Sequence, residues 1–335
     1  MERLSGSYSI GKSYSGKMKA AQRIFCLAAA AALLAFCSRS SPLYPFNYWV
    51  DSNCFFTVGK SMMKGLVTYR DIYEQKGPLL YFLHGLAYFI SRNSFTGVYI
   101  LEVLAFGAFL KSIISILRHF HIGLPCLLAV ILGALILSSP AFGLGDSAEE
   151  LCLPFILWSL YYLLKLSSSD NKKITLSLPV MLLNGVFTGC ILWIKFNLLG
   201  FHLGWILSIL IINIYKKGFI YALKSAGAYF AGIIIVSIPV LAYFSLNSAL
   251  GDLWTAYFYN NIFLYPVQAE NRVESLMQKL NNFSAGLYHN PGYALPVLIG
   301  LLWVLLCKKK HISAGVKAGV ILSFALLAAG VYGGG

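Results

Sequence analysis

Carboxylates are scarce in this chain. Only 12 of its 335 residues are Asp or Glu, against 26 Lys and Arg. Charged residues of both signs make up 11%, where a soluble globular domain carries about 25%, so a soluble class is excluded. The seven cysteines include no Cys-x-x-Cys pair, and most sit inside apolar segments. That excludes a zinc site and a disulfide framework and leaves small buried hydrophobes. No His-Glu-x-x-His, Walker loop or dinucleotide fingerprint is present, which argues against a soluble nucleotide donor bound in the usual way.

What the chain has instead is apolar sequence. Hydrophobic residues make up 58%, with a mean hydropathy of +0.72. Stretches long enough to span a bilayer, about 17–25 residues, recur near 20–38, 95–117, 123–141, 149–166, 175–194, 197–215, 219–246, 291–307 and 313–332. They predict an all-α polytopic membrane protein with a bundle of about nine transmembrane helices. Residues 1–19 read as a cytoplasmic tail and the first stretch as an uncleaved signal-anchor. A net charge of +14 suggests nucleic acid in a soluble protein. In a membrane protein Lys and Arg orient the helices, and no nucleic-acid partner is expected.

The stretch 78–90 is short for a span and suits a surface or re-entrant helix. If it does not cross, Lys12 to Arg23, Arg118, Lys172-Lys173, Lys216-Lys217 and Lys308-Lys309-Lys310 share one side, the cytoplasm. Asp51, Asp71, Glu74, Asp146, Glu149, Glu150, Asp252, Glu270 and Glu274 then share the other. If it crosses, the basic clusters move outside and Asp51 is parted from Asp146. The first arrangement is the expected one. It gives outer loops at 39–94 and 247–290 and places the chemistry outside the cytoplasm.

Four places carry candidate chemistry. Asp51 stands at the foot of the first span, where a carboxylate needs a reason; it is a helix cap or a functional group. A surface helix after it would dip Phe55, Phe56, Val58, Met62 and Met63 into lipid and stop near Gly65. Arg70, Asp71 and Lys76 follow, and cations near the membrane plane suit a lipid phosphate. Asp146, Glu149 and Glu150 precede an outer span end; Asp146 caps it or serves the site, and the glutamates need water, a partner or a ligand. Lys195, at an outer span end without basic neighbours, either snorkels or contacts phosphate. Glu102 falls inside the second span, and His84 and His289 read as external.

These residues resemble a known family. An Asp after the first span, then Gly65-Leu-Val-Thr-Tyr-Arg-Asp71, then Lys76-Gly77-Pro78 before a short surface helix, a second acidic motif at Asp146 to Glu150 and a Lys ending a later span at Lys195 are similar to the bacterial GT-C glycosyltransferases. The branch is that of protein O-mannosyltransferases and lipid A aminoarabinose transferases, and the subgroup is that with an RgtA/B/C/D-like domain. The resemblance covers roughly 20–250 and implies a GT-C-type bundle over 20–335, with a polyprenyl-phosphate sugar as donor. It implies a glycan, lipid or protein acceptor, Asp51 as catalytic base and Asp146 or Glu149 as a second acidic position. Its relatives continue past a segment like the terminal Gly-Gly-Gly335, so a C-terminal truncation is expected. No metal ligand set has diagnostic spacing, and a divalent cation held by the carboxylates is left open. The rival functions are a lipid-linked-sugar flippase, whose signature is charge deep within spans, and an inactive membrane scaffold.

Overall fold

In the computed structural model of the protein, residues 2–167, 175–265, 272–308 and 312–333 are described. The elements among them are helical, with one isolated bridge between Thr68 and Ile72. The α-helices are α1 (Glu2–Cys37), α2 (Val50–Met62), α3 (Pro78–Ile90), α4 (Thr96–His119), α5 (Pro125–Leu137), α6 (Ala148–Lys165) and α7 (Leu178–Ile194). They continue as α8 (Leu199–Lys217), α9 (Phe219–Leu246), α10 (Leu250–Leu253), α11 (Arg272–His289), α12 (Pro291–Leu306) and α13 (Ala314–Gly333). A 3-10 turn covers Phe196–Leu198 and a π-helix covers Trp254–Leu264. Lys172-Lys173, Glu270, Lys309-Lys310 and Gly335 lie outside the described residues.

Five helices among the described residues are long and apolar enough to cross a membrane: Met18–Cys37, Thr96–His119, Phe196–Lys217, Phe219–Leu246 and Ala314–Tyr332. The other predicted stretches form shorter or more charged helices. Prolines in the first turns of α5, α7 and α12 fix where these begin, and they run for 13, 17 and 16 residues. Helix α6 has 18 residues but carries Glu149, Glu150 and Lys165. The second predicted loop is largely helical, and α11 meets α12 at a 105° bend.

Two buried cores hold the bundle. One joins α1, α4 and α5 through Ala30, Leu34, Phe106, Leu110 and Ala129. The other joins α6 to α9 and α13 through Met181, Phe201, Trp205, Tyr229 and Val316. Helices α7 and α9 touch backbone to backbone: a Cβ on Gly185 would lie 1.9 Å from the Tyr229 carbonyl oxygen. Small residues at such crossings let apolar helices gain contact where water exclusion between them contributes little. The outward faces stay apolar, with Ile234, Ile235 and Ile238 of α9 exposed.

The bundle has two distinct ends. At the first, Arg39 N donates to Leu144 O (2.9 Å), joining the end of α1 to the approach to α6. At the second, Arg118 Nη1 donates to Gln22 Oε1 (2.7 Å) and Tyr221 Oη to Leu176 O (2.7 Å). Helix α3 lies across the first end. Its N-cap Gly77 donates to Ile194 O (3.1 Å) at the end of α7, and its last turn sits on the start of α4, where a Gly97 Cβ would be 2.1 Å from Ala87 O. The Lys-Gly-Pro motif has a physical reading here. A side chain at residue 77 would meet Trp193 O at 2.1 Å, and Pro78 starts the helix without losing a needed donor.

Helix α2 departs from expectation. Phe55, Phe56 and Val58 are buried inside the protein and do not dip into lipid. Phe55 meets Tyr81 and His84 of α3 at ring-centroid distances of 6.3 and 5.6 Å. The helix starts one residue before Asp51, so Trp49 occupies the N-cap and Asp51 lies in the first turn.

Candidate functional site

The loop from α2 to α3 is held by its own charges. Arg70 donates through Nε and Nη2 to both oxygens of Asp71 (2.9 and 3.0 Å) and through Nη1 to Asn247 O (2.8 Å). Val67 N donates to Asp71 Oδ2 (2.8 Å). Tyr69, at φ 72°, donates to Lys76 O (2.5 Å) and stacks on Phe244 and Tyr257 at 5.6 and 6.5 Å. The Gly-x-x-x-Tyr-x-Asp motif is therefore a folded turn clamped to the end of α9. Arg70 and Asp71 satisfy each other there and do not reach the cavity described below.

The guanidinium of Arg70, then the Val67 amide, holds the Asp71 carboxyl down at about 2. A carboxyl with a depressed folded value adds stability above its unfolded value of about 3.9 and loses it as pH falls through the folded one. The clamp is expected to survive acidification to pH 4 and to open as pH approaches 2. The Asp71 carboxyl carbon, followed by NMR, checks this; titration near 3.9 would show that the pair is not formed.

Lys76 and Lys195 meet at one cavity. It has a volume of about 340 Å³ and is lined by both lysines with Gln75, Asn197, Tyr257 and Asn261. Lys195 ends α7 in extended backbone at φ −157° and its Nζ donates to Glu149 Oε1. Lys76 and Lys195 share the lining of the cavity, and Lys195 is the one of the two that pairs with Glu149. The opposite wall comes from the π-helix. Tyr257 Oη donates to Leu192 O (2.7 Å), and Asn261 Nδ2 donates to Gln75 O (2.9 Å). A π-helical stretch places side chains off the α-helical register and is common at functional sites.

One residue along α6 the surroundings become dry. Glu150, Asp146, Glu102 and His84 are all fully buried. Asp146 holds φ 47°, a left-handed conformation that Asp tolerates. Ser147, not Asp146, caps α6, its Oγ accepting from Glu150 N (3.1 Å). Asp146 instead accepts from Ser52 Oγ (2.5 Å) and pairs with His84 Nε2 (3.0 Å). Its own N–H donates to Glu102 Oε1 (2.8 Å), and Ser38 Oγ donates to Glu102 Oε2 (2.9 Å). Both carboxyl oxygens of Glu150 are buried without a hydrogen-bond partner among the described residues.

His84 is thus internal, contrary to the sequence expectation, because the α3 face that carries it turns down onto the acidic motif. Its Nδ1 lies 2.8 Å from Leu80 O, and a carbonyl only accepts, so Nδ1 bears a proton. Burial opposes the imidazolium, but the Asp146 carboxylate outweighs it and holds the ring above its ordinary value of 6.5. Asp51 itself is half-buried and makes no side-chain hydrogen bond among the described residues; it is the adjacent Ser52 that reaches Asp146. The sequence reading passes over Ser52 and sets His84 on the outside, away from Asp146. Their only signal was the order of the segments, since a lone Ser and a lone His carry no spacing. Among the described residues no group of three or more His, Cys, Asp or Glu is arranged to hold a metal ion.

No curated protein matches the sequence. A family model does match, over residues 12–325, a range that includes Asp51, Lys76, the Asp146 cluster and Lys195. It is not a GT-C glycosyltransferase model. The chain belongs to the family of the competence-induced protein Ccs4, N-terminal domain.

Proposed function

We propose that the protein is a membrane glycosyltransferase that moves a sugar from a polyprenyl-phosphate donor to an acceptor on the extracytoplasmic face of the cell membrane. The observation that supports this best is the convergence of Lys76 and Lys195 on one polar cavity. Expelling a phosphate from an anomeric carbon calls for fixed cations where negative charge grows, and these two lysines supply them. The bond from the anomeric carbon to the phosphate oxygen breaks as the acceptor oxygen attacks from the opposite face, inverting the centre. The phosphate leaves with the bonding electrons, and the acceptor proton passes to Asp51. Asp146 acts on the other side of α2, where its bond to Ser52 and ion pair with His84 fix the first turn that carries Asp51.

The topology suits this reading. Helix α3 lies across the end of the bundle that holds Asp51, Asp146 and Lys195, as a helix at the membrane surface does. With α3 outside the count, the reading takes α1, α4 to α9, α12 and α13 as the nine spans, with an internal N-terminus. The buried carboxyls sit in the first two turns of α4 and α6, near the helix ends, whereas a flippase calls for charge at mid-bilayer.

Purified protein given a radiolabelled polyprenyl-phosphate sugar is expected to consume the donor, and Asp51→Asn to lose this activity while remaining membrane-inserted. Near-wild-type turnover in Asp51→Asn would remove the base. Translocation without cleavage would instead establish a flippase, and neither activity a scaffold.

A further inference from the structure

At the second end of the bundle, away from the lysine cavity, α12 stands off from α4 and α6. The gap is a cavity of about 890 Å³, near the upper limit of ligand pockets, about 300–1,000 Å³. Its walls are apolar: Phe120, Leu160, Leu164, Trp303, Val304 and Phe324 line it, and Phe120 meets Trp303 edge-on at 6.1 Å. Lys308 is the charged residue on the lining among the described residues. The helices around it also end in basic residues, α4 in Arg118 and His119 and α6 in Lys165. Lys317 of α13 donates from Nζ to Leu305 O (2.9 Å) and Cys307 O (2.5 Å), which fixes the last turn of α12 beside the opening.

We propose that this cavity binds an anionic phospholipid, its acyl chain lying between α12 and the α4–α6 pair and its phosphate meeting Lys308. The lining offers water almost no partners, so an apolar occupant is favoured over solvent. The basic rim selects the headgroup, because cation-rimmed gaps between membrane helices attract anionic lipids. An apolar peptide segment or a neutral lipid would fill the same walls but leave the rim unmatched. The inference stands independently of glycosyl transfer, since the cavity opens at the far ends of α4 and α6 from Glu102 and Glu150.

The test is native mass spectrometry of the full chain in detergent, with phosphatidylglycerol and phosphatidylcholine of identical acyl chains. Wild type should retain phosphatidylglycerol with roughly fivefold preference, the effect of one cation near an anionic surface. Lys308→Glu, at an exposed position, should lower that preference to parity. Gly300→Phe should lose both lipids, because its ring grows into the cavity from a site with no atom within 4 Å of the added Cβ. Equal retention of the two lipids by wild type, or undiminished phosphatidylglycerol retention in both variants, would overturn the proposal.

Discussion

Asp146→Ala is expected to destabilise the protein by about 3–5 kcal/mol, the cost of leaving a buried charge without its partner. The substitution strips an acceptor from Ser52 Oγ and the counter-ion from His84 in one step, and both groups are fully buried. Relief by water is blocked, since the ring is enclosed by Phe55 and the α3 backbone. The effect depends on pH with a defined sign. His84 has a folded value raised above 6.5, so the pair stabilises fully below 6.5 and fades as pH rises through the folded value. Unfolding midpoints of wild type and variant should therefore differ most in mild acid, and the gap should narrow in base to what the lost Ser52 bond costs. Asp146→Asn is the control: it tolerates the left-handed backbone and keeps an acceptor for Ser52, so it should cost less. A gap that is constant with pH would show that His84 is neutral throughout.

Lys195→Gln is expected to lower donor cleavage by about 10²–10³-fold, the range found when one preorganised donor to a developing oxyanion is removed. Folding should be little changed, because Glu149 keeps 41% of its side chain exposed and stays hydrated without its partner. Lys195→Arg retains the charge but spreads it over a planar fork, and should recover part of the loss. Glu149→Gln separates the roles: it releases Lys195 without removing it, so cleavage should persist. The rates of the three variants with the labelled donor decide the matter. Equal loss in Lys195→Gln and Glu149→Gln would make the ion pair, not the cation, the active feature.

Much of the site's layout was legible because charge is rare in this chain. Scarcity made Lys76, Lys195, Asp51 and the Asp146 motif visible, and the order of helices put them at one end. What stayed hidden depended on facing rather than on order. His84 lies 62 residues from Asp146 in the chain, and nothing in an apolar 13-residue helix says which face turns inward. Arg70 and Asp71 looked like ligand groups, yet neighbours in sequence closed on each other once the turn at Tyr69 folded. Phe55 and Phe56 read as lipid-facing because an apolar side chain fits lipid and protein equally well. Helix lengths misled for a related reason: the expected stretch 123–141 runs across Ser138 and Ser139, but the backbone turns there and ends α5.

On the proposed nine-span order, that early end of α5 has a consequence for the surrounding bilayer. At about 1.5 Å per residue, its 13 residues reach about 20 Å, short of a hydrocarbon layer of about 30 Å. The 28 residues of α9 reach about 42 Å by the same measure. Both helices expose apolar side chains, Leu127, Ile131 and Leu135 on one and Phe230, Ile234 and Ile238 on the other. The perimeter is thus uneven in height, and mismatch of this kind is met by thinning the lipid on the short side and tilting the long helix. On the proposed nine-span order, lipid headgroups beside α5 would be drawn toward the midplane, and the annulus around the protein would be asymmetric.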